Sequence, residues 1–173
     1  MNDTEVATVS SNPVTTSTVS RALPLIFAPA PILRTRCMSV DIDTLADAGR
    51  AELRSFMDAM VSTVLAHDAL GLAAPQVGVS KRIIVYRGSS TAEPIALINP
   101  SLINARGTMG STEGCLSIPG QRRKVKRSQS VTIVGFDRNL NPVTLHLTGM
   151  VACVVQHEVD HLNGRLMTEL PRA

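Results

Sequence analysis

Apolar side chains between Asp43 and His67 recur at the spacing of one helical face. They lie mostly three or one positions apart, the periodicity of an amphipathic helix that packs its apolar stripe on a sheet. The glycines and proline of residues 70–78 then interrupt regular structure, so we expect a shaped loop there, beside an apolar strand at 83–86. The stripe comprises Leu53, Phe56, Met57, Met60, Val61, Val64 and Leu65.

Short runs rich in β-branched residues predict further strands. They lie at 95–98, 131–136 and 143–147, and the last of them alternates polar and apolar residues with period two. Asp137 to Pro142 should form the turn between the last two runs.

A final helix is expected to begin after a Thr148 cap and to end at Gly164. No internal repeat is visible, and the elements together predict an α+β fold: antiparallel strands around a central helix, with a second amphipathic helix earlier in the chain. The residues of the final helix expected to face the core are Met150, Val151, Val154, Val155 and Leu162.

The composition is globular, with an aliphatic core. Hydrophobic residues make up 44% of the 173 residues and charged residues 18%, but aromatic residues only 2%, so Val, Ile, Leu, Met and Ala must fill the interior. Residues 1–20 contain nine Ser or Thr and no Lys or Arg. We therefore expect a poorly ordered tail over 1–20 and a single domain over 21–173.

Cysteine content and net charge limit the cellular compartments and the binding partners to be considered. Three cysteines at unrelated spacings argue against a disulfide framework and for a reducing compartment. The net charge of +3 is mild and does not demonstrate a nucleic-acid partner. Residues 22–33 contain three prolines and are too short to span a bilayer. We expect a cytoplasmic protein that binds neither membrane nor DNA.

The strongest chemical signal is the pattern H-E-x-x-H near the C-terminus. His157 and His161 are one helical turn apart, about 40° around the axis, so both rings can reach one divalent ion. Glu158 follows the first histidine and would serve as a proton carrier. The pattern is a metallohydrolase signature, but a motif this short also arises by chance.

A catalytic site of this kind needs a third protein ligand beside an open position. The candidates are Cys115, in a glycine-containing loop, and Cys153, one turn before His157. Three ligands along one helix would spread over about 12 Å, too far for Cys153 and His161 to share an ion easily. Cys115 is therefore preferred, and Cys153 is the alternative.

Three motifs in this order resemble those of peptide deformylase, the enzyme that removes the formyl group from the N-terminal methionine of new bacterial and organellar proteins. They are Gly71-Leu72-Ala73-Ala74-Pro75-Gln76, Glu113-Gly114-Cys115-Leu116-Ser117 and Gln156-His157-Glu158-Val159-Asp160-His161. The resemblance runs from about Pro29 to Leu170. It implies one metallohydrolase domain acting on formyl-methionyl peptides and releasing formate.

The resemblance also implies the roles of the site residues. One divalent metal would be bound by Cys115, His157 and His161, with water as fourth ligand to attack the formyl carbon. Iron(II) is the implied metal, with zinc, nickel or cobalt as substitutes, because this donor set accepts all four.

By the same resemblance, other residues transfer the proton and stabilise the negative charge on the formyl oxygen. Glu158 would take a proton from the water and return it to the departing amine. The Gln76 side-chain amide and the Leu116 backbone N–H would receive the formyl oxygen.

The peptide should bind as an added strand, by the same resemblance. Glu113 and Arg127 would form a supporting ion pair, and Arg122 would contact the peptide. Ordinary core positions are the alternative for the apolar pocket residues. The expected peptide and methionine-pocket residues are Leu70, Gly71, Gly114, Met150, Cys153 and Val154.

Two other functions are weighed against this one. The first is an H-E-x-x-H metallopeptidase, although no His or Cys follows His161 as a downstream ligand. The second is a basic RNA- or ribosome-binding module with a structural metal, which would need neither Gln76 nor Glu158. The run 121–127 is expected to be a solvated strand face, with ribosomal RNA or an acidic peptide end as the alternative partner. We expect a monomer and leave transient ribosome contact open.

Overall fold

Seven strands and two α-helices form the part of the chain that the structure describes, residues 21–171. The structure is a computed structural model, and the predicted tail over 1–20 lies outside the described residues. The helices are α1 (Asp47–Ala66) and α2 (Gly149–Leu162). The strands are β1 (Gly71–Ala73), β2 (Ile83–Tyr86), β3 (Ile95–Arg106), β4 (Met109–Cys115), β5 (Ile118–Arg127), β6 (Ser130–Phe136) and β7 (Pro142–Thr148).

The strands divide into two antiparallel sheets. One has the order β1-β2-β3-β6-β7, and the other is a ribbon of β4 and β5. The predicted α+β class with antiparallel strands is therefore confirmed. β3 is longer than the predicted strand at 95–98, because a register shift between Ile98 and Ser101 lets pairing with β6 continue past Pro100.

Helix α1 covers one face of the five-stranded sheet, as its apolar stripe predicts. Most of the stripe is buried or half-buried, but Leu65 is 50% exposed, so the prediction is wrong there. Adjacent helical residues lie about 100° apart around the axis, and Val64 already faces the core. The stripe residues that pack against Leu72, Ile83, Val85 and Ile98 are Leu53, Met57, Met60 and Val64.

Helix α2 packs on the same sheet through a second apolar cluster. Its C-terminus is closed by Gly164 at φ 71°, whose N–H donates to His161 O, while Arg165 N–H donates to Asp160 O. This is the Schellman arrangement, in which a left-handed glycine ends the helix. The α2 residues in the cluster include Ala152, Val155, Val159 and Leu162. Among the residues described, neither helix is long and apolar enough to cross a membrane.

The start of α2 differs in part from the prediction. Thr148 occupies the N-cap position, but its side chain makes no capping hydrogen bond. Met150 is 53% exposed rather than in the core, because it lies in the first turn, where α2 leaves β7 and borders a cleft.

Two segments expected to be loops carry regular structure. Residues 71–73 form β1, paired with β2, and a 3-10 helix follows at Ala74–Val77. Residues 113–115 form the end of β4. Both segments are rich in glycine or alanine and poor in β-branched residues, so backbone pairing with a neighbouring strand overrides their weak intrinsic strand preference.

Candidate active site and metal centre

Three potential metal ligands converge between the ribbon and helix α2. Cys115 lies at the end of β4, and His157 and His161 lie one turn apart on α2. One ligand atom from each falls within 4.8 Å of the others, and Cys115 Sγ is 3.2 Å from His161 Nε2. Cys153, the alternative ligand, is buried outside this cluster. The geometry favours Cys115 as the third ligand.

The ring of His157 is oriented by a buried ion pair. Its Nδ1 lies 2.8 Å from Glu113 Oε2, which leaves Nε2 directed elsewhere. Arg127 binds both oxygens of Glu113, at 2.7 and 2.9 Å, and also bonds to Asp160. A carboxylate behind a ligating imidazole fixes the tautomer and raises the basicity of the ring. Asp160 therefore lies behind the cluster and orients Arg127.

The charges around the cluster favour a cation. Burial alone would raise the pKa of Glu113, but hydrogen bonds from Arg127 and His157 lower it to about 2, so Glu113 is ionised. Burial alone would lower the pKa of His157, yet hydrogen bonds with Cys115 and Glu113 raise it to about 10. Surroundings that stabilise a proton on His157 also favour a divalent ion bound to that ring. Burial lowers the pKa of His161, which keeps that ring in the neutral form that coordinates metals.

Glu158 is a buried carboxylate beside the cluster. Only 4% of it is exposed, and burial raises its pKa to about 7. Its Oε2 has no hydrogen-bond partner among the described residues. A buried polar atom without a partner costs free energy. Packing therefore holds the Glu158 carboxylate in place without a stabilising hydrogen bond to Oε2.

Gly71 is what makes room for Glu158. A Cβ at position 71 would lie 2.2 Å from Glu158 Oε1 and 2.8 Å from its carboxyl carbon. The backbone of β1 can run this close to the carboxylate only because the residue has no side chain. Strand β1 thus packs directly against the Glu158 carboxylate.

Gly71→Ala should displace Glu158 while leaving the fold intact, because Gly71 has ordinary strand geometry. We expect turnover to fall by about 100-fold, the typical effect of a shift of about 1 Å in a reacting group. The measurement is kcat/KM for the formyl-Met peptide that the resemblance implies as substrate, with metal content and melting temperature as controls. Gly110→Ala is a matched variant, since a Cβ at position 110 meets nothing within 4 Å. Equal rates for Gly71→Ala and the parent would contradict this role for β1.

Gln76 presents its side-chain amide to the cluster. It is 2% exposed, and its Oε1 accepts from Ala73 N–H at 2.8 Å, which fixes the orientation of the amide. Its Nε2 then donates toward Cys115 Sγ at 3.5 Å and Ser117 Oγ at 3.3 Å. The sequence assigned no role to Ser117, and its place two residues after Cys115 was the only available signal. Leu116 lies in the turn between β4 and β5, next to Cys115.

A cleft of about 640 Å³ opens onto these groups. Its walls come from β1, the ribbon and the start of α2, with Glu158, His157 and Cys115 among the lining residues. Arg127 and His161 are not in its lining. All the residues predicted to contact the peptide or the methionine side chain line the cleft: Leu70, Gly71, Gly114, Arg122, Met150, Cys153 and Val154.

Arg87 is a buried residue of this region that sequence reasoning missed. It is 3% exposed, and its Nε donates to Ala69 O at 2.7 Å while its backbone N–H donates to Leu70 O at 2.9 Å. The guanidinium also bonds to Asp68 and Ser90 O. It thereby holds the segment between α1 and β1 that lines the cleft. An arginine at a strand end is ordinarily solvated, so no sequence pattern marked it.

The α+β fold and the Cys-His-His cluster beside a buried carboxylate define the class of metal-dependent hydrolases. The family model for polypeptide deformylase matches residues 22–171. The chain belongs to this family. It is a hydrolase that removes the N-formyl group from nascent polypeptides, as predicted, and the matches do not favour the metallopeptidase or the structural-metal module.

Curated relatives and solved structures agree. Peptide deformylase of Dehalococcoides mccartyi BAV1 is 41% identical over 80% of this chain and 79% of the relative. The peptide deformylase of Halothermothrix orenii is 42% identical over 80% of this chain and 86% of the relative. The Acinetobacter baumannii class I type b enzyme with Met-Ala-Ser bound superposes with a TM-score of 0.79 at 32% identity, over 88% of this chain and 99% of that one. The peptide deformylase of Thermotoga maritima superposes with a TM-score of 0.80 at 31% identity, over 88% of this chain and 99% of that one.

Proposed function

We propose that Glu158 carries the proton in deformylation, next to one divalent metal bound by Cys115, His157 and His161. Two observations carry the proposal: Glu158 lines the cleft beside the ligand cluster, and its buried Oε2 has no hydrogen-bond partner among the described residues. A carboxylate in that position has no structural hydrogen bond to lose when it exchanges a proton with a reactant.

The donor set fits a first-row divalent ion. One thiolate and two imidazoles suit iron(II), zinc, nickel and cobalt alike, and we propose iron(II) with the others as substitutes. Three protein ligands leave a position open, as in catalytic rather than structural sites. When bound, the ion supplies Lewis acidity, which lowers the pKa of water toward neutrality and polarises a carbonyl.

Glu158 accepts one proton from the water that attacks the formyl carbon and later gives it to the departing methionyl amine. A general base and acid works best when its pKa is near the working pH, and burial raises the pKa of this carboxyl to about 7. Such a group can be found in either protonation state during one cycle. Proton transfer of this kind contributes roughly 10²- to 10⁴-fold to rate.

Gln76 and the Leu116 N–H stabilise the negative charge on the formyl oxygen. The Gln76 amide is held in place by Ala73 and points its N–H toward Cys115 Sγ, so little reorganisation is needed as charge develops. Losing one such donor costs about 3 kcal/mol of transition-state stabilisation.

The formyl-methionyl peptide binds along the cleft as an added strand. The Acinetobacter baumannii relative binds Met-Ala-Ser, and this chain has a strand edge, β4, whose Thr112 and Gly114 line the cleft. Backbone pairing of this kind tolerates varied sequences. The methionine side chain enters the apolar part of the cleft between Leu70, Met150, Cys153 and Val154.

The compartment proposed for the reaction is the one that the free cysteines and the nascent-chain substrate suggest. Cys37, Cys115 and Cys153 are free thiols, which supports a reducing compartment such as the cytoplasm. Contact with the ribosome is transient in this proposal, since a nascent chain leaves after one reaction. We propose a monomer as the acting form.

The test is formate release from formyl-Met-Ala-Ser by protein reconstituted anaerobically with iron(II). We expect multiple turnovers, near-complete loss of activity after chelation, and recovery when iron(II) is added back. Zinc, nickel and cobalt should restore activity to different extents at the same stoichiometry. Turnover that survives removal of all metal would overturn the metal-dependent mechanism.

A further inference from the structure

The outer face of strand β5 carries a row of exposed cations. Arg122, Lys124 and Lys126 alternate with inward-facing residues, of which Val125 and Arg127 are buried. Residues two apart on a strand share one face and lie about 6.6 Å apart along it. These three side chains therefore form a straight line, which we call the cationic row.

The strand opposite the cationic row has almost no side chains on the same face. Arg122 pairs with Gly114, Lys124 with Thr112 and Lys126 with Gly110. A Cβ at Gly110 would meet nothing within 4 Å, so this side of β4 is open. The long cationic side chains can extend across β4 toward its free edge.

The cationic row has no carboxylate partner among residues 21–171. None of its three side chains forms a salt bridge in the described part of the chain. The nearby carboxylates, Glu113 and Asp160, are both bonded to Arg127 on the inner face. The positive charge of this face is therefore not balanced locally.

The row is continuous with the substrate cleft. Arg122, Gly114 and Thr112 line the cleft, and Cys115 ends β4 at the metal-ligand cluster. A peptide added along the β4 edge would pass Gly114, then Thr112 and Gly110, as it leaves the site. Arg122, Lys124 and Lys126 would meet it in that order.

We propose that the cationic row makes this deformylase prefer nascent chains with acidic side chains at the second and fourth residues. The proposal rests on the peptide binding proposed above. With the methionine side chain inside the protein, alternate side chains of an extended peptide point outward, on the face of Gly114 and Thr112. A peptide is favoured over RNA because the row starts within the cleft and the net charge of the chain is only +3.

The test compares affinities of unformylated product peptides, which need no turnover. Fluorescent Met-Glu-Ser-Glu-Ala should bind about 3- to 10-fold more tightly than Met-Gln-Ser-Gln-Ala, the range set by one or two exposed ion pairs. Raising the salt concentration should shrink the difference. Met-Ser-Glu-Ser-Glu, with the same charge at the third and fifth residues, should show less than half of that gain.

Two variants of the protein make the test specific. Lys124→Gln/Lys126→Gln should bring the affinities of the two peptides within about 2-fold, whereas Arg36→Gln/Arg106→Gln removes two exposed charges outside the cleft and should preserve the preference. Equal affinities in the parent protein, or an equal loss in both variants, would overturn the proposal. So would a Lys124→Gln/Lys126→Gln variant that loses affinity for a single-stranded RNA while its peptide preference persists.

Failure here is distinguishable from failure of the proposed reaction. Formyl-Met-Gln-Ser-Gln-Ala should be deformylated at the same kcat by the parent and by Lys124→Gln/Lys126→Gln. Turnover with no acidic preference would refute the role of the row alone. An acidic preference in product binding without turnover would refute the proposed chemistry but support the role of the cationic row in peptide binding.

Discussion

Glu158→Gln is expected to lower kcat for a formyl-Met tripeptide by about 10³-fold, within the range for loss of a general base. The amide has almost the same shape as the carboxyl but cannot accept and return a proton. KM should change little, because Glu158 is assigned to the reacting centre and not to the peptide backbone. Formate release measured under anaerobic iron(II) loading gives both constants.

The fold and the metal site should survive this substitution. Burial already raises the pKa of Glu158 to about 7, so a neutral side chain suits the position. Its Oε2 has no partner among the described residues, so no internal hydrogen bond is broken there. Metal content and melting temperature should match those of the parent. If both proteins turn over at the same rate, Glu158 takes no part in the chemistry.

The helices and most strands of the large sheet were predictable because their signals are local. Apolar spacing placed α1 between 43 and 67, and the structure has it at Asp47–Ala66. Alternation and β-branched residues placed β6 and β7 to within one residue at each end. Such patterns depend only on which face of one element is buried.

β1 and the ribbon were harder to predict because their sequences carry weak strand signals. Gly71 and Gly114 weaken any strand signal, yet both lie in paired strands. The register that places Lys124 opposite Thr112 follows from the two-residue turn at 116–117 and from the register shift beside Cys115. The charge run at 121–127 predicted a solvated strand face, and the structure has a strand there but buries Val125 and Arg127 on its inner face.

Some features of the candidate site were predictable from local sequence, and others were not. The relation of His157 to His161 follows from helical geometry and was predictable. The buried contact between Arg127 and Glu113 was expected only from a family resemblance, and the contact of Gly71 with Glu158 was not expected at all. The first contact crosses the ribbon over 14 residues and the second joins β1 to α2, and no spacing rule connects either pair.

Cys115→Ala should abolish stoichiometric metal binding and bring deformylation to the background rate. It would leave only the two histidines, because Cys115 is the one thiol in the ligand cluster. Losing an outer-shell partner of a metal ligand costs about 10- to 100-fold in affinity, and losing the ligand itself should cost more. Metal content by mass spectrometry and formate release by the reconstituted protein are the two measurements.

Cys153→Ala is the matched control, because it truncates a buried cysteine that lines the cleft but lies outside the cluster. This variant should retain one ion per chain. Its kcat should hold while KM rises, since the methionine pocket loses a wall atom. The reverse pattern, with metal lost in Cys153→Ala and kept in Cys115→Ala, would transfer the third ligand to helix α2. It would also break the link between the ribbon and the catalytic ion, because Cys115 is the only residue of the ribbon in the described ligand cluster.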